Sequence, residues 1–313
     1  MRLPVRELLA GLAAVAATAL PLASGLQAQP APLKICLEED SPPLSFSFGP
    51  RKGGFDHGVA EEIAKRMGRP LKVQWFESEN DEEAVPVWEA NALLSDGFCD
   101  LIAGYPLLGS TLGKPETDKG AVPEYEGMKR SERGRLVKLG VLSATQPYYR
   151  AGYGVIVGPA AEGRPVHRLA DLKGLRLGAE VGTMASALLF RNAGGLLVDD
   201  ISNISETKEL LTRAAAGEFD AVLIELHKFD NFRRRNPDTP LHWSGYVHPF
   251  GVNMGLAVLE RHAALREQVN VILDAMKADG TLDALAERWQ MTRIPPAPPW
   301  ILQRLTPGML NAG

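Results

Sequence analysis

The sequence predicts an α/β protein of two lobes. Three features carry that expectation: a strand–helix–strand rhythm from Leu33 to Pro106, a polar stretch from Leu108 to about Arg135 that interrupts it, and a second alternating run from Tyr148 onward. Such alternation builds parallel sheets with helices on their faces. A chain of 313 residues has the mass for two lobes of ordinary size, and 45% hydrophobic with 23% charged residues is the balance of a globular protein.

The elements follow in order. "LKICL" is a short apolar strand, stopped by "EEDSPP". After "GGFD" comes a helix in which Val59, Ile63 and Met67 recur every four residues, with Ala60 and Ala64 beside them and Glu61, Glu62, Lys65 and Arg66 facing out. Asp56 is expected to cap its start and Gly68 its end. "PLKVQWF" reads as a strand, "AVPVWEANALLSDG" as a helix and "CDLIAGYP" as a third strand. The stretch at 108–135 is a long loop or an inserted subdomain. Beyond it, "YYRAGYGVIVG", "LRLGAEVG", "FDAVLIE" and "GVNMGLAVL" read as strands, with helices in "TMASALLFRNAG", "ETKELLTRAAAG", "ALREQVNVILDAMKADG" and "TLDALAERW". The tail "RIPPAPPWILQRLTPG" is Pro-rich and should run extended over the surface.

Residues 1–28 have the make-up of a cleaved secretory signal: Arg2 and Arg6, an apolar run, then small and polar residues near Ala28. Pro21 and the Ala-rich core make a poor anchor, and no later apolar run is long enough to span a bilayer. The expected location is the periplasm. Loss of Arg2, Arg6 and Glu7 takes the formal charge from −4 to −5, and no basic cluster interleaved with aromatics suggests nucleic acid. The Arg233–Arg235 run has acids on both sides and reads as a solvated loop. Cys36 and Cys99 are the two cysteines; an oxidising compartment invites a bond between them, and without a His cluster they make a poor metal site.

The segments "GFDHGVAEEIAKRMG", "GFCDLIAG", "SATQPYYRAGYGVIV", "LADLKGLRLGAEVGTM", "AAGEFDAVLIE" and "LREQVNVILDAMKADGTLDALAERW" occur in the order found in bacterial extracellular solute-binding proteins of family 3, the periplasmic receptors of amino-acid ABC transporters. The chain resembles that family over nearly all of its length beyond the signal. The resemblance implies a type II periplasmic binding protein: two α/β lobes with a hinge and an interlobe cleft. Lobe 1 would be 29–147 with 253–313, carrying the 108–135 insertion and the tail, and lobe 2 would be 148–252. It also implies a small polar solute, a membrane permease as partner, a monomer, no cofactor and no enzymatic activity. In the family's sheet the first and third strands are neighbours, so the resemblance places Cys36 within bonding reach of Cys99; two buried free thiols are the alternative.

Site residues are likewise implied by the resemblance. The family grips an α-carboxylate with an Arg soon after the third strand, aided by a Gly-Thr pair at a helix start, and holds the α-ammonium with an acid at the end of a later strand. Gly182-Thr183 matches the pair, with a plain helix cap as the alternative, and Glu225 stands where the family usually has Asp. Gly104 and Tyr105, at the end of "LIAGYP", are expected to line the cleft, as are Glu38 and Glu180. The Arg is the departure: none follows "LIAGYP" closely, and only Arg130, Arg133 or Arg135 could fold back to replace it. Ser41 and Leu44 stand where the family carries aromatics. The resulting excess of acids predicts a preference for positive charge. The segment from "CDLIAGYP" to "LSATQPYYRAGYGVIV" is also similar to solute-binding-like proteins that accompany periplasmic quinoprotein alcohol dehydrogenases, which lack the same Arg. That alternative implies an accessory role with a dehydrogenase partner. A periplasmic dehydratase on this fold is a third reading, but the six histidines show no partner spacing for acid–base work.

Overall fold

The computed structural model describes residues 30–77, 86–132 and 134–311. The segment read as a signal, residues 1–28, lies outside them, as does Arg133. The chain begins with β1 (Leu33–Glu38), a small antiparallel sheet of β2 (Asp40–Ser41), β3 (Ser45–Phe48) and β4 (Arg51–Gly53), then α1 (Phe55–Arg66), β5 (Leu71–Glu77), α2 (Pro86–Ser95) and β6 (Leu101–Pro106). Between 108 and 145 lie β7 (Lys119–Ala121), β8 (Glu124–Tyr125), β9 (Leu136–Lys138) and β10 (Leu142–Ala144). The second run is β11 (Tyr149–Val157), β12 (Leu177–Glu180), α3 (Met184–Arg191), β13 (Ile201–Ile204), α4 (Thr207–Ala215), β14 (Ala221–Glu225), α5 (Leu226–Arg235) and β15 (His242–Leu259). Helices α6 (Ala263–Ala278), α7 (Thr281–Arg288) and α8 (Pro307–Leu310) complete it.

The main sheet runs β13-β12-β14-β11-β15-β6-β1-β5-β8, with β10 paired to β15. Strands β5, β1 and β6 are parallel in one half, and β13, β12 and β14 in the other; β11 and β15 join the halves as an antiparallel pair. This is the two-lobed architecture of a type II periplasmic binding protein. Strand β15 is far longer than "GVNMGLAVL" suggests: its 18 residues pair with β11 near its start and with β6 and β10 near its end, so it crosses from one lobe to the other.

Alternation along the strands divides each lobe's core into two layers. In β1, Leu33, Ile35 and Leu37 pack with Val59, Ile63 and helix α6, while Cys36 points the other way, towards α2. In the second lobe Val155, Val157 and Leu223 pack with α3, and Ile156, Val222 and Ile224 with α4 and α5. Cys36 and Cys99 form a disulfide with a Cα–Cα distance of 5.6 Å, between β1 and the residue pair preceding β6.

Two sequence expectations are corrected and two are filled in. The Arg233–Arg235 run, read as a loop, is the last turn of α5. Asp56 does not cap α1: Gly54 occupies that position, and Asp56 is the second helical residue, 3% exposed. The cap must be glycine, because φ is +120° and a Cβ there would sit 2.2 Å from the Leu44 carbonyl oxygen. The 108–135 stretch is built into the first lobe, with β8 extending the main sheet beside β5, β7 and β9 pairing over α2, and Val122 buried in the core. The tail runs over the surface as expected, and it is tied down along its course. Its Ile294 pairs with Arg150, Leu302 with Leu108, and the Asn253 side chain donates to the carbonyls of Ala297 and Pro299 at 2.8 and 3.1 Å. Leu302, Met309 and Leu310 then join the second lobe's core, although the sequence places the tail with the first. Among the described residues no helix is long and apolar enough to cross a membrane.

Candidate functional site

Parallel strands leave their ligand sites beyond their carboxyl ends, and in this molecule both sets of ends open on one cleft. Its inner part is a cavity of about 350 Å³. Glu38 enters from the end of β1; Ala103, Gly104, Tyr105 and Pro106 come from β6, and Asp56 from the first turn of α1. Tyr149 and Tyr153 of β11 and Val252 and Met254 of β15 form the hinge side, while Glu225 and His227 close it from the second lobe. Two neighbouring cavities share these walls. One of about 240 Å³ lies against Tyr153, Glu180, Thr183, Glu225 and Lys228. The other, about 380 Å³, lies between Asp40–Pro42 and residues of α4 and α5, and includes Ser41, His227 and Lys228.

The floor is set by a buried chain of polar contacts. The Asp56 backbone N–H donates to the Leu44 carbonyl at 2.8 Å, which fixes the first turn of α1. The Tyr148 hydroxyl donates to Asp56 Oδ1 at 2.6 Å and accepts from the Gly104 N–H at 2.8 Å. Burial pushes the Asp56 carboxyl up from 3.8 to about 7, against the Tyr148 bond that favours its anion, and Glu38 adds to the rise. Gly104 is required twice over: its φ is +66°, and a Cβ would lie 2.8 Å from Asp56 Oδ2.

Around that floor stand the tyrosines. The Tyr153 hydroxyl donates to Glu225 Oε1 at 2.9 Å, and the other Glu225 oxygen lies 3.5 Å from His227 Nε2. Burial lowers the His227 pKa and so favours its neutral form. Tyr149 is 1% exposed, and its hydroxyl finds no hydrogen-bond partner in the protein. Burial raises its pKa well above the ordinary value, and the charges of Asp56, Glu225 and Glu38 raise it further, so this hydroxyl sits in the field of three acids.

The expected site residues divide into two groups. Glu38, Gly104, Tyr105 and Glu225 meet in the inner cavity. Glu180 and Thr183 line the 240 Å³ cavity, and both have bonds within the second lobe. Glu180 Oε1 accepts from the Thr207 N–H at 3.1 Å, its other oxygen accepts from the Thr207 hydroxyl, and Lys228 Nζ is 3.6 Å away. Thr183 caps α3, its Oγ1 accepting from the Ser186 N–H at 3.2 Å. Gly182 lines none of the three cavities; with φ +78° it shapes the turn into α3.

Arg135 is engaged with Asp96, its Nη1 donating to Oδ1 at 3.0 Å, and Arg130 is exposed; among the described residues no Arg or Lys lines the inner cavity. Asp56, read as a cap, and Tyr149, Tyr153 and His227 are among the cavity residues that sequence reasoning did not assign to the site. The "YYRAGY" run was the available signal, because a crossing strand rich in tyrosine must turn some of them into the cleft. Among the described residues, no group of three or more His, Cys, Asp or Glu is arranged to hold a metal ion.

Comparison with known proteins agrees with this fold. The ABC transporter arginine-binding protein 1 of Escherichia coli is 28% identical over 152 residues, 47% of this chain and 59% of that protein. The L-cystine-binding protein TcyJ of Escherichia coli is 26% identical over 144 residues, 46% of this chain and 52% of that protein. Over about half of its length the chain is similar to these arginine- and cystine-binding proteins. It spans between half and two thirds of the length of these curated relatives. No family model matches the chain. The unliganded, open L-cystine solute receptor of Neisseria gonorrhoeae shares the fold, with a TM-score of 0.58, 18% identity and coverage of 85% of this chain and 96% of that one. The likeness in fold spans both lobes.

Proposed function

We propose that the protein is a periplasmic solute-binding protein, which captures a small polar solute between its lobes and delivers it to the membrane permease of an ABC transporter. One observation carries this reading: a cavity of about 350 Å³ walled by both lobes and by both crossing strands. A solute there touches groups that move apart on opening, so binding favours closure. Lobe 1 is taken as 29–147 with the residues from 253 on, the end of its tail reaching across to pack on lobe 2 (148–252), with β11 and β15 as the hinge. The disulfide suits an extracytoplasmic location, where oxidised cysteines persist. Glu38, Gly104, Tyr105 and Glu225 are proposed to face the solute, with Asp56 and Tyr149 added. Glu180, Gly182 and Thr183 shape the second lobe's rim. The relatives are named as binding proteins, and this protein is read as one too, acting without chemistry on its solute.

A melting-temperature screen over amino acids, amines and small organic acids tests the proposal, since a ligand of the native state raises the transition by mass action. A rise with one solute class, lost on mutation of cavity residues, is the expected outcome; a flat screen counts against it. A second reading, as accessory protein of a periplasmic quinoprotein dehydrogenase, is favoured by the absence of an arginine from the cavity among the described residues. Co-purification with a quinoprotein, together with a flat screen, would support it.

A further inference from the structure

We infer that the inner cavity selects a short aliphatic diamine, one ammonium group towards each lobe, over a zwitterionic amino acid. The inference rests on the solute-binding reading and narrows its ligand. The charged walls are acidic on both sides: Glu38 and Asp56 belong to the first lobe and Glu225 to the second, while no Arg or Lys among the described residues lines the cavity. An α-carboxylate would enter facing like charge, with no guanidinium to receive it. A cation placed near either wall gains from the same field.

The Tyr149 hydroxyl is a second and independent observation. It is buried, it has no partner in the protein, and its residue lines the cavity. A buried hydroxyl without a partner is costly in a folded protein and calls for an explanation. Its electrostatic neighbours are Asp56, Glu225 and Glu38, one from each polar wall element. An ammonium has three protons and no acceptor; a tyrosine oxygen and flanking carboxylates supply what it needs. Ile102, Leu44, Val252 and Met254 line the same cavity and suit a run of methylenes, while Phe76, Tyr105 and Tyr153 present aromatic surface, which attracts cations. A monoamine matches one wall and leaves the other carboxylate facing an alkyl end. A metal ion is disfavoured, because among the described residues the acids do not gather as a metal-binding group.

Isothermal titration of the purified protein near pH 8 with putrescine, cadaverine, butylamine, arginine and glutamate tests the inference. The expected result is that a diamine binds at least tenfold more tightly than butylamine and than either amino acid. Glu225→Gln should lower diamine affinity at least tenfold. Tyr149→Phe should lower it by roughly three- to tenfold while leaving the melting temperature of the unliganded protein unchanged, because no hydrogen bond within the protein is lost. Arg135→Ala should leave the affinity as it is. Tighter binding of arginine or glutamate than of any diamine would overturn the inference and leave the solute-binding reading standing. Diamine binding unaffected by both cavity substitutions would place it elsewhere and overturn the inference too. Silence from all five compounds would count against both.

Discussion

Asp56 sits in the first turn of α1, where helix N–H groups favour an anion, yet burial dominates and raises its pKa to about 7. The native state therefore holds this proton more tightly than the unfolded chain, whose carboxyl titrates near 3.8. Stability from this group is fully present below pH ~4 and is lost as pH rises towards 7, by on the order of 3 kcal/mol. Asp56→Asn keeps an acceptor for Tyr148 and removes the titration. Its stability relative to wild type should climb between about pH 4 and pH 7 and then level off; chemical denaturation across that range measures it, and parallel curves would refute the assignment. Gly104→Ala tests the same floor from the other side. It forces a Cβ towards Asp56 at a positive φ, and should cost about 1–3 kcal/mol by the same method, whereas a neutral effect would deny the close approach.

Individual elements differed in how far the sequence foretold them. Strand β1 and helices α1 and α6 announced themselves through apolar periodicities that match the faces they bury. The Gly182-Thr183 turn was equally plain, because a Thr before a helical run has a local job: it caps α3. What stayed hidden depends on distant partners. Asp56 looked like a cap, since its true partner, Tyr148, is 92 positions away. Glu180 lines a cavity, but nothing near it in the sequence reveals Thr207 as its partner. The 108–135 stretch lacks periodicity because its strands are two or three residues long and are held by α2 and β5. Strands β1 and β6 lie side by side in the main sheet. The Cys36–Cys99 bond ties the two across 63 positions, and loop closure of that length contributes roughly 4 kcal/mol in the chain-entropy model. Thiol titration in denaturant without reductant should find no reactive group, and prior reduction should lower the denaturation midpoint; two free thiols would disprove the bond.

At the scale of the molecule, the tail adds a third link across the hinge. It leaves α7 in the first lobe, and the Thr292 hydroxyl donates to the buried Asp230 of α5 at 2.9 Å. It then passes Asn253 on β15 and ends against α3. Removing residues 300–313 would uncover part of the second lobe's core and free the two lobes to separate. The truncated protein should melt several degrees lower and scatter with a larger radius of gyration; unchanged values would show that the tail bears no load. Closure with the tail in place would pivot about its main-chain pairings, which lie along β11 and near Leu108. The central claim is that the two lobes close on a solute held between Glu38, Asp56, Tyr149 and Glu225. Small-angle scattering of the wild-type protein, with and without the solute that most raises its melting temperature, tests this directly. The account predicts a smaller radius of gyration on saturation and no such change in Glu225→Gln at the same concentration; a solute that binds without compaction, or compacts both proteins alike, would contradict it.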